Sequence, residues 1–122
     1  MHKQLSKDFN SSIFDSKDLP GSGIGMSMVL ISKLQIMKDY LGMPIKIRSG
    51  FRTKLHNARV GGKVNSEHLT GEGVDVICLG SEERFYMLQA AAYAGFDRIG
   101  VKGDMIHLGV STTLPTPRFW LY

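Results

Sequence analysis

The sequence predicts an α+β fold, a small and mainly antiparallel sheet with flanking helices. Three observations carry that expectation. Two stretches space their apolar residues at helical intervals, four short segments alternate or run apolar as strands do, and glycines separate nearly every one of them. The elements follow in the order helix, strand, small helix, strand, helix, hairpin. A chain of 122 residues can bury one real core and is short for two. Its hydrophobic share of 43% suits a globular domain and argues against wholesale disorder.

Residues 1–25 read as a polar, loop-like arm, with Pro20-Gly21-Ser22-Gly23 as its turn signal and Phe9, Ile13 and Phe14 as anchors to the body. From Met26 to Leu41, the spacing Leu30, Leu34, Met37, Leu41 predicts a helix, stopped by Gly42 and Pro44. Ile45-Lys46-Ile47-Arg48 alternates as a short strand, and the break Ser49-Gly50-Phe51-Arg52 leaves Arg52 at its end. Thr53 to Val60 is a short helix closed by Gly61-Gly62, and residues 61–72 are a loop carrying His68. Gly73 to Leu79 is apolar and β-branched, a buried strand. Ser81 is placed to cap a helix with Glu82 and Glu83 in its first turn, Phe85, Leu88 and Ala92 facing inward, and Gly95 at its end. Arg98 to Val101 and Met105 to Val110 form a hairpin around Lys102-Gly103. The tail, with Pro115, Pro117, Phe119, Trp120 and Tyr122, is expected to be extended and packed by its aromatics.

Several classes fall away. One cysteine, Cys78, allows no internal disulfide. No apolar run approaches the roughly 20 residues that span a bilayer, so no membrane insertion is expected. The start, Met-His-Lys-Gln-Leu-Ser, has no apolar leader region, so the expected site of synthesis is the cytoplasm, as a soluble monomer. The net charge of +4 and a pI near 9.3 favour anionic partners. The fifteen Lys and Arg residues are scattered, however, and do not interleave with aromatics, which speaks against nucleic acid.

The chemistry concentrates in Ser66-Glu67-His68-Leu69-Thr70-Gly71-Glu72-Gly73-Val74-Asp75 and in Asp104-Met105-Ile106-His107. Strand alternation puts Val74, Val76 and Cys78 on one face and Asp75 on the other. It likewise sets Ile106, Leu108 and Val110 against His107. If the two strands are neighbours, Asp75 and His107 converge, and His68 can join them from its glycine-punctuated loop. Two imidazoles and one carboxylate suit one catalytic zinc ion with an open position, although manganese, iron or cobalt accept similar ligands. Asp104 is then the candidate to move the proton of an attacking water.

The same segments resemble a known family. Residues 66–75 are similar to the Ser-x-His-x-x-Gly-x-Ala-x-Asp signature of the zinc D-alanyl-D-alanine carboxypeptidases and L-alanyl-D-glutamate endopeptidases. These peptidoglycan peptidases include phage endolysins and share a fold with hedgehog signalling domains. Ser49-Gly50-Phe51-Arg52 resembles the family's Ser-Gly-Tyr-Arg, His56-Asn57 and Val60-Gly61-Gly62 its linking stretch, and Asp104 to His107 its Glu/Asp-x-x-His. The resemblance runs from about Phe9 to Trp120. It implies zinc on His68, Asp75 and His107, and Asp104 as general base and later acid. Arg52 is implied to stabilise an oxyanion or bind a substrate carboxylate. Ser66 and Glu67 are implied to orient His68. The substrate implied is a peptidoglycan stem peptide, reached at the cell wall by a phage-type release or otherwise. The chain departs from the pattern at Gly73, where alanine is usual and a small-for-small change should be tolerated, and at Gly109, where many short members carry Asp. The alternative function is a zinc-stabilised binding module of the same fold with little or no catalysis.

Overall fold

In the computed structural model, which describes residues 1–122, Ser27 opens the first long helix by accepting a hydrogen bond from the Leu30 amide at 3.3 Å. This helix, α1, runs Met28–Leu41 and ends at Gly42, whose left-handed φ of 67° a side chain would resist. Leu30, Ile31, Leu34 and Met37 are fully buried along it, and Leu41 is half-buried. Strand β1 is Ile47–Ser49, helix α2 is Lys54–Arg59, and strand β2 is Gly73–Ile77. Helix α3, Ser81–Ala94, is followed by β3 (Arg98–Lys102), β4 (Met105–Gly109) and β5 (Arg118–Leu121). Three short 3-10 turns, Ser11–Phe14, Ser22–Gly25 and Glu67–Thr70, complete the chain.

The five strands form one sheet in the order β1-β2-β4-β3-β5. Three of its pairings are antiparallel, and β5 alone runs parallel, beside β3. This is the α+β architecture expected. Val74, Val76, Cys78, Ile106, Leu108 and Val110 join α1 and α3 in one apolar core. Alternation therefore leaves Asp75 and His107 on the other face, where they are direct cross-strand partners. A register irregularity between Ile47 and Ser49 brings Ser49 opposite Asp75 and turns Gly50 to Arg52 toward the same face.

Three local expectations are corrected. Ser81 does not cap α3: it is the first helical residue, and Gly80 stands at the cap with no side-chain bond. The buried side of α3 is Met87, Ala90, Ala91 and Ala94, with Leu88 half-buried, while Phe85 is 63% exposed and Ala92 also faces solvent. The small alanines let α3 lie close against α1, and the large aromatics are left outside, where Tyr93 stacks on Tyr40 at 4.3 Å between ring centroids. In the arm, Phe9 and Phe14 are buried anchors, but Ile13 is 44% exposed because the 3-10 turn points it outward. The arm is also held by polar contacts. Asp15 accepts from the amides of Gly21 and Gly23, and Ser16 Oγ accepts from the amide of Thr53.

Candidate metal centre

The loop before β2 delivers His68 through a 3-10 turn. Ser66 opens that turn by accepting from the His68 amide at 3.2 Å, and Gly71 closes it in the left-handed conformation. The amide of Arg52 donates to the His68 carbonyl, which fixes the loop against the β1 break. His68, Asp75 and His107 are 3%, 5% and 5% exposed, and a ligand atom from each lies within 4.8 Å of the other two. Asp75 Oδ1 is the hub, 3.3 Å from His68 Nε2 and 3.0 Å from His107 Nδ1.

These spacings suit a metal. Donors about 2.0–2.1 Å from one tetrahedral ion stand roughly 3.3 Å apart, close to both measured separations. The histidine tautomers also agree with ligation. His68 Nδ1 lies 2.7 Å from the Gly50 carbonyl, which can only accept, so Nδ1 carries a proton and Nε2 is the ring atom turned to Asp75 and placed to bind a metal. His107 Nε2 lies 2.9 Å from Glu67 Oε1, which leaves Nδ1 as its inward atom. Two inward imidazole nitrogens and a carboxylate oxygen, each residue with an outward partner, fit a single zinc ion.

Electrostatics keep the acids ionised. Burial alone would raise the Asp75 carboxyl, but hydrogen bonds from His107 and His68 outweigh it and hold Asp75 below the usual carboxylate range. Burial likewise opposes a charge on His107, yet its bonds to Asp75 and Glu67 raise its value in the metal-free protein. Glu67 is lowered in the same way, its burial outweighed first by His107.

The other sequence-derived candidates fall into two groups. Arg52 belongs to the centre. Its guanidinium donates to Ser49 Oγ at 3.1 Å, Asn57 Oδ1 at 3.3 Å and Asp75 Oδ2 at 3.2 Å, so it grips the outer oxygen of a ligand. Glu67 belongs too, but its carboxylate reaches His107 and not His68, since the 3-10 turn sends adjacent side chains in different directions. Asp104 lies further out. It sits in the β3–β4 turn with its side chain 54% exposed and ion-paired to Arg48 at 3.0 Å. The bond from Arg48 holds its carboxyl below the usual range. His2 is exposed, and neither it nor His56 joins the group.

A cleft of about 880 Å³ opens over the three ligands. The sequence did not single out its walls. Arg48, Lys63, Arg98, Lys102 and Arg118 bring positive charge from four separate segments, while Glu67 and Asp75 are the acids that line it. Trp120 forms part of one side, with its ring 5.6 Å from that of His107 and 5.1 Å from the Arg98 guanidinium carbon. No spacing rule links those cations; the parallel docking of β5 on β3 brings Arg118 beside Arg98 on the strand that also carries Lys102, and β1 and the loop after α2 supply the others.

With this geometry in view, the comparisons with known proteins agree. The family model for Peptidase M15 matches residues 6–109, and the chain belongs to that family. A zinc D-Ala-D-Ala carboxypeptidase of Streptomyces albus G is 36% identical over 98 residues, covering 77% of this chain. Those residues are 37% of the relative, so the chain spans little more than a third of that protein's length.

Proposed function

We propose that the chain is a zinc-dependent peptidase that hydrolyses peptide bonds in peptidoglycan stem peptides. The observation that carries this reading is the buried His68, Asp75, His107 set facing an open, cationic cleft. Zinc held there supplies Lewis acidity and activates water near neutral pH. The chain's own residues do the rest. Asp75 is oriented by Arg52, and the His68 and His107 rings are held by Gly50 and Glu67. Asp104 is the base in this reading. Its carboxylate is ionised at neutral pH and must turn from Arg48 toward the cleft, accept a proton from the attacking water, and return it to the leaving amine. Arg48 and Met105, its contact and its neighbour, line that cleft. Lys63, Lys102 and Arg118, the wall cations that pair with no acid, suit a substrate rich in carboxylates, which stem peptides are.

The test is mass spectrometry of purified peptidoglycan incubated with the protein, with and without a chelator. New peptide fragments that vanish with chelator and return with zinc are expected, and an Asp104→Asn protein that binds zinc should lose at least about a hundredfold in rate. Full activity in that variant would remove Asp104 from the role. The exposed Asp104–Arg48 ion pair favours one other reading, a zinc-stabilised module that binds wall peptides without cutting them. Stoichiometric zinc with peptide binding and no released amine would establish that one.

A further inference from the structure

Glu67 makes more contacts than holding one imidazole requires. Its carboxylate is 3% exposed, yet it meets three partners. Oε1 lies 2.9 Å from His107 Nε2 and 3.0 Å from Arg98 Nε, the latter an ion-pair contact in which the N–H is not aimed at the oxygen. Oε2 accepts from the Ser111 amide at 3.0 Å. A buried carboxylate with this many partners is built into the fold.

The space it occupies is provided by two glycines. Gly73 on β2 and Gly109 on β4 are direct cross-strand partners, and the Glu67 side chain lies over the pair. A β-carbon on Gly109 would overlap the Glu67 carboxylate itself. A β-carbon on Gly73 would come within 2.8 Å of Glu67 Cβ and 2.9 Å of His107 Cε1. The expectation that alanine at position 73 would be tolerated is therefore corrected: something must move to admit it. Both places where the chain departs from the resemblance thus have one physical cause.

We infer that Glu67 is the positioning residue for His107, and that its carboxylate takes the place that a side chain at position 109 would otherwise fill. It accepts the Nε2 proton, fixes the ring and leaves Nδ1 for the metal, while Arg98 and the Ser111 amide hold the carboxylate still. The inference rests on His107 being a zinc ligand. Its distinctive consequence is that the carboxylate is transposable. Gly109→Asp in the native background sets two carboxylates in one slot and should weaken zinc binding. Combined with Glu67→Ala, the same substitution returns one carboxylate to the slot from strand β4.

The experiment is zinc affinity by competition with a chromophoric chelator, together with the visible spectrum of the cobalt-substituted protein. Glu67→Ala should lose about 10–100-fold in zinc affinity and shift the cobalt bands. Gly109→Asp should lose at least as much, and the double variant should recover to within about fivefold of wild type, a strongly non-additive cycle. Should Glu67→Ala not fold, Glu67→Gln keeps the shape and is expected to shift the cobalt bands and weaken zinc several-fold. Unchanged affinity and spectrum in a folded Glu67→Ala or Glu67→Gln protein, or losses that simply add in the double variant, would overturn the positioning role alone. A wild-type protein that binds no zinc would overturn the metal reading beneath it.

Discussion

Arg52 and Asp15 show how single polar groups define this molecule. Arg52 spends its planar fork on Ser49, Asn57 and Asp75 at once, an arrangement that a point-charge ammonium cannot reproduce. Arg52→Lys should therefore leave the fold intact by circular dichroism and lower zinc affinity about tenfold, read by chelator competition. Wild-type affinity in that variant would mean Arg52 serves the substrate and not Asp75. Asp15 works on the arm, away from the site. Burial disfavours its charge, but the amides of Gly21 and Gly23 outweigh it and lower its value. A lowered value stabilises the fold above the unfolded pKa of about 3.9, and that stability is lost as pH falls through the folded value. Urea unfolding should show Asp15→Asn less stable by about 1–2 kcal/mol at pH 7, with the gap narrowing below about pH 4. A gap that does not change with pH would rule out the carboxylate's charge as the cause. At this scale the convergence of His68, Asp75 and His107 was legible from motif and alternation, because a side chain's face follows from its register. The partner of Glu67 was not, because a 3-10 turn has no such simple parity.

Among the elements, β5 gives four residues to the cleft wall, Arg118 to Leu121, and was least visible beforehand. Gly100 in β3 stands opposite His107, and a β-carbon there would overlap the Trp120 indole of the neighbouring β5. The missing side chain lets Trp120 lie across the sheet beside His107 and Arg98. Gly100→Val should push it out. Trp120 is the only tryptophan, so the emission maximum should move to the red and quenching by iodide should increase, with β3 and β4 otherwise retained. Unaltered emission would show that the indole accommodates the new side chain without leaving. The tail's apolar content predicted packing, yet nothing in its spacing distinguishes a parallel strand from an extended strap. Helix α3 shows the converse. Its length and ends followed from Glu82, Glu83 and Gly95, but its inward side did not, since small alanines rather than the large Phe85 face α1.

For the whole molecule, the metal centre joins elements distant in sequence. His68 precedes β2, Asp75 lies on it, His107 lies on β4, and the arm and the β1 break meet them through Gly50 and Arg52. Zinc binds the folded chain far better than the unfolded one, so it should stabilise the whole domain, by about 2.7 kcal/mol at a free concentration a hundred times its Kd. Differential scanning calorimetry should show the melting temperature falling by several degrees with chelator and recovering with zinc. A melting temperature indifferent to both would mean that zinc has no appreciable preference for the folded chain. The sequence by itself determined the class of the sheet, the apolar faces of its central strands, and the three candidate ligands, because periodicity and local motifs act over a few residues. Only the tertiary structure decided which carboxylate holds His107, that Gly73 and Gly109 make room for it, that Asp104 pairs with Arg48 at the surface, and which cations line the cleft. Those are contacts between residues far apart in the chain, and they exist only once strand order, register and a turn's geometry have been fixed together.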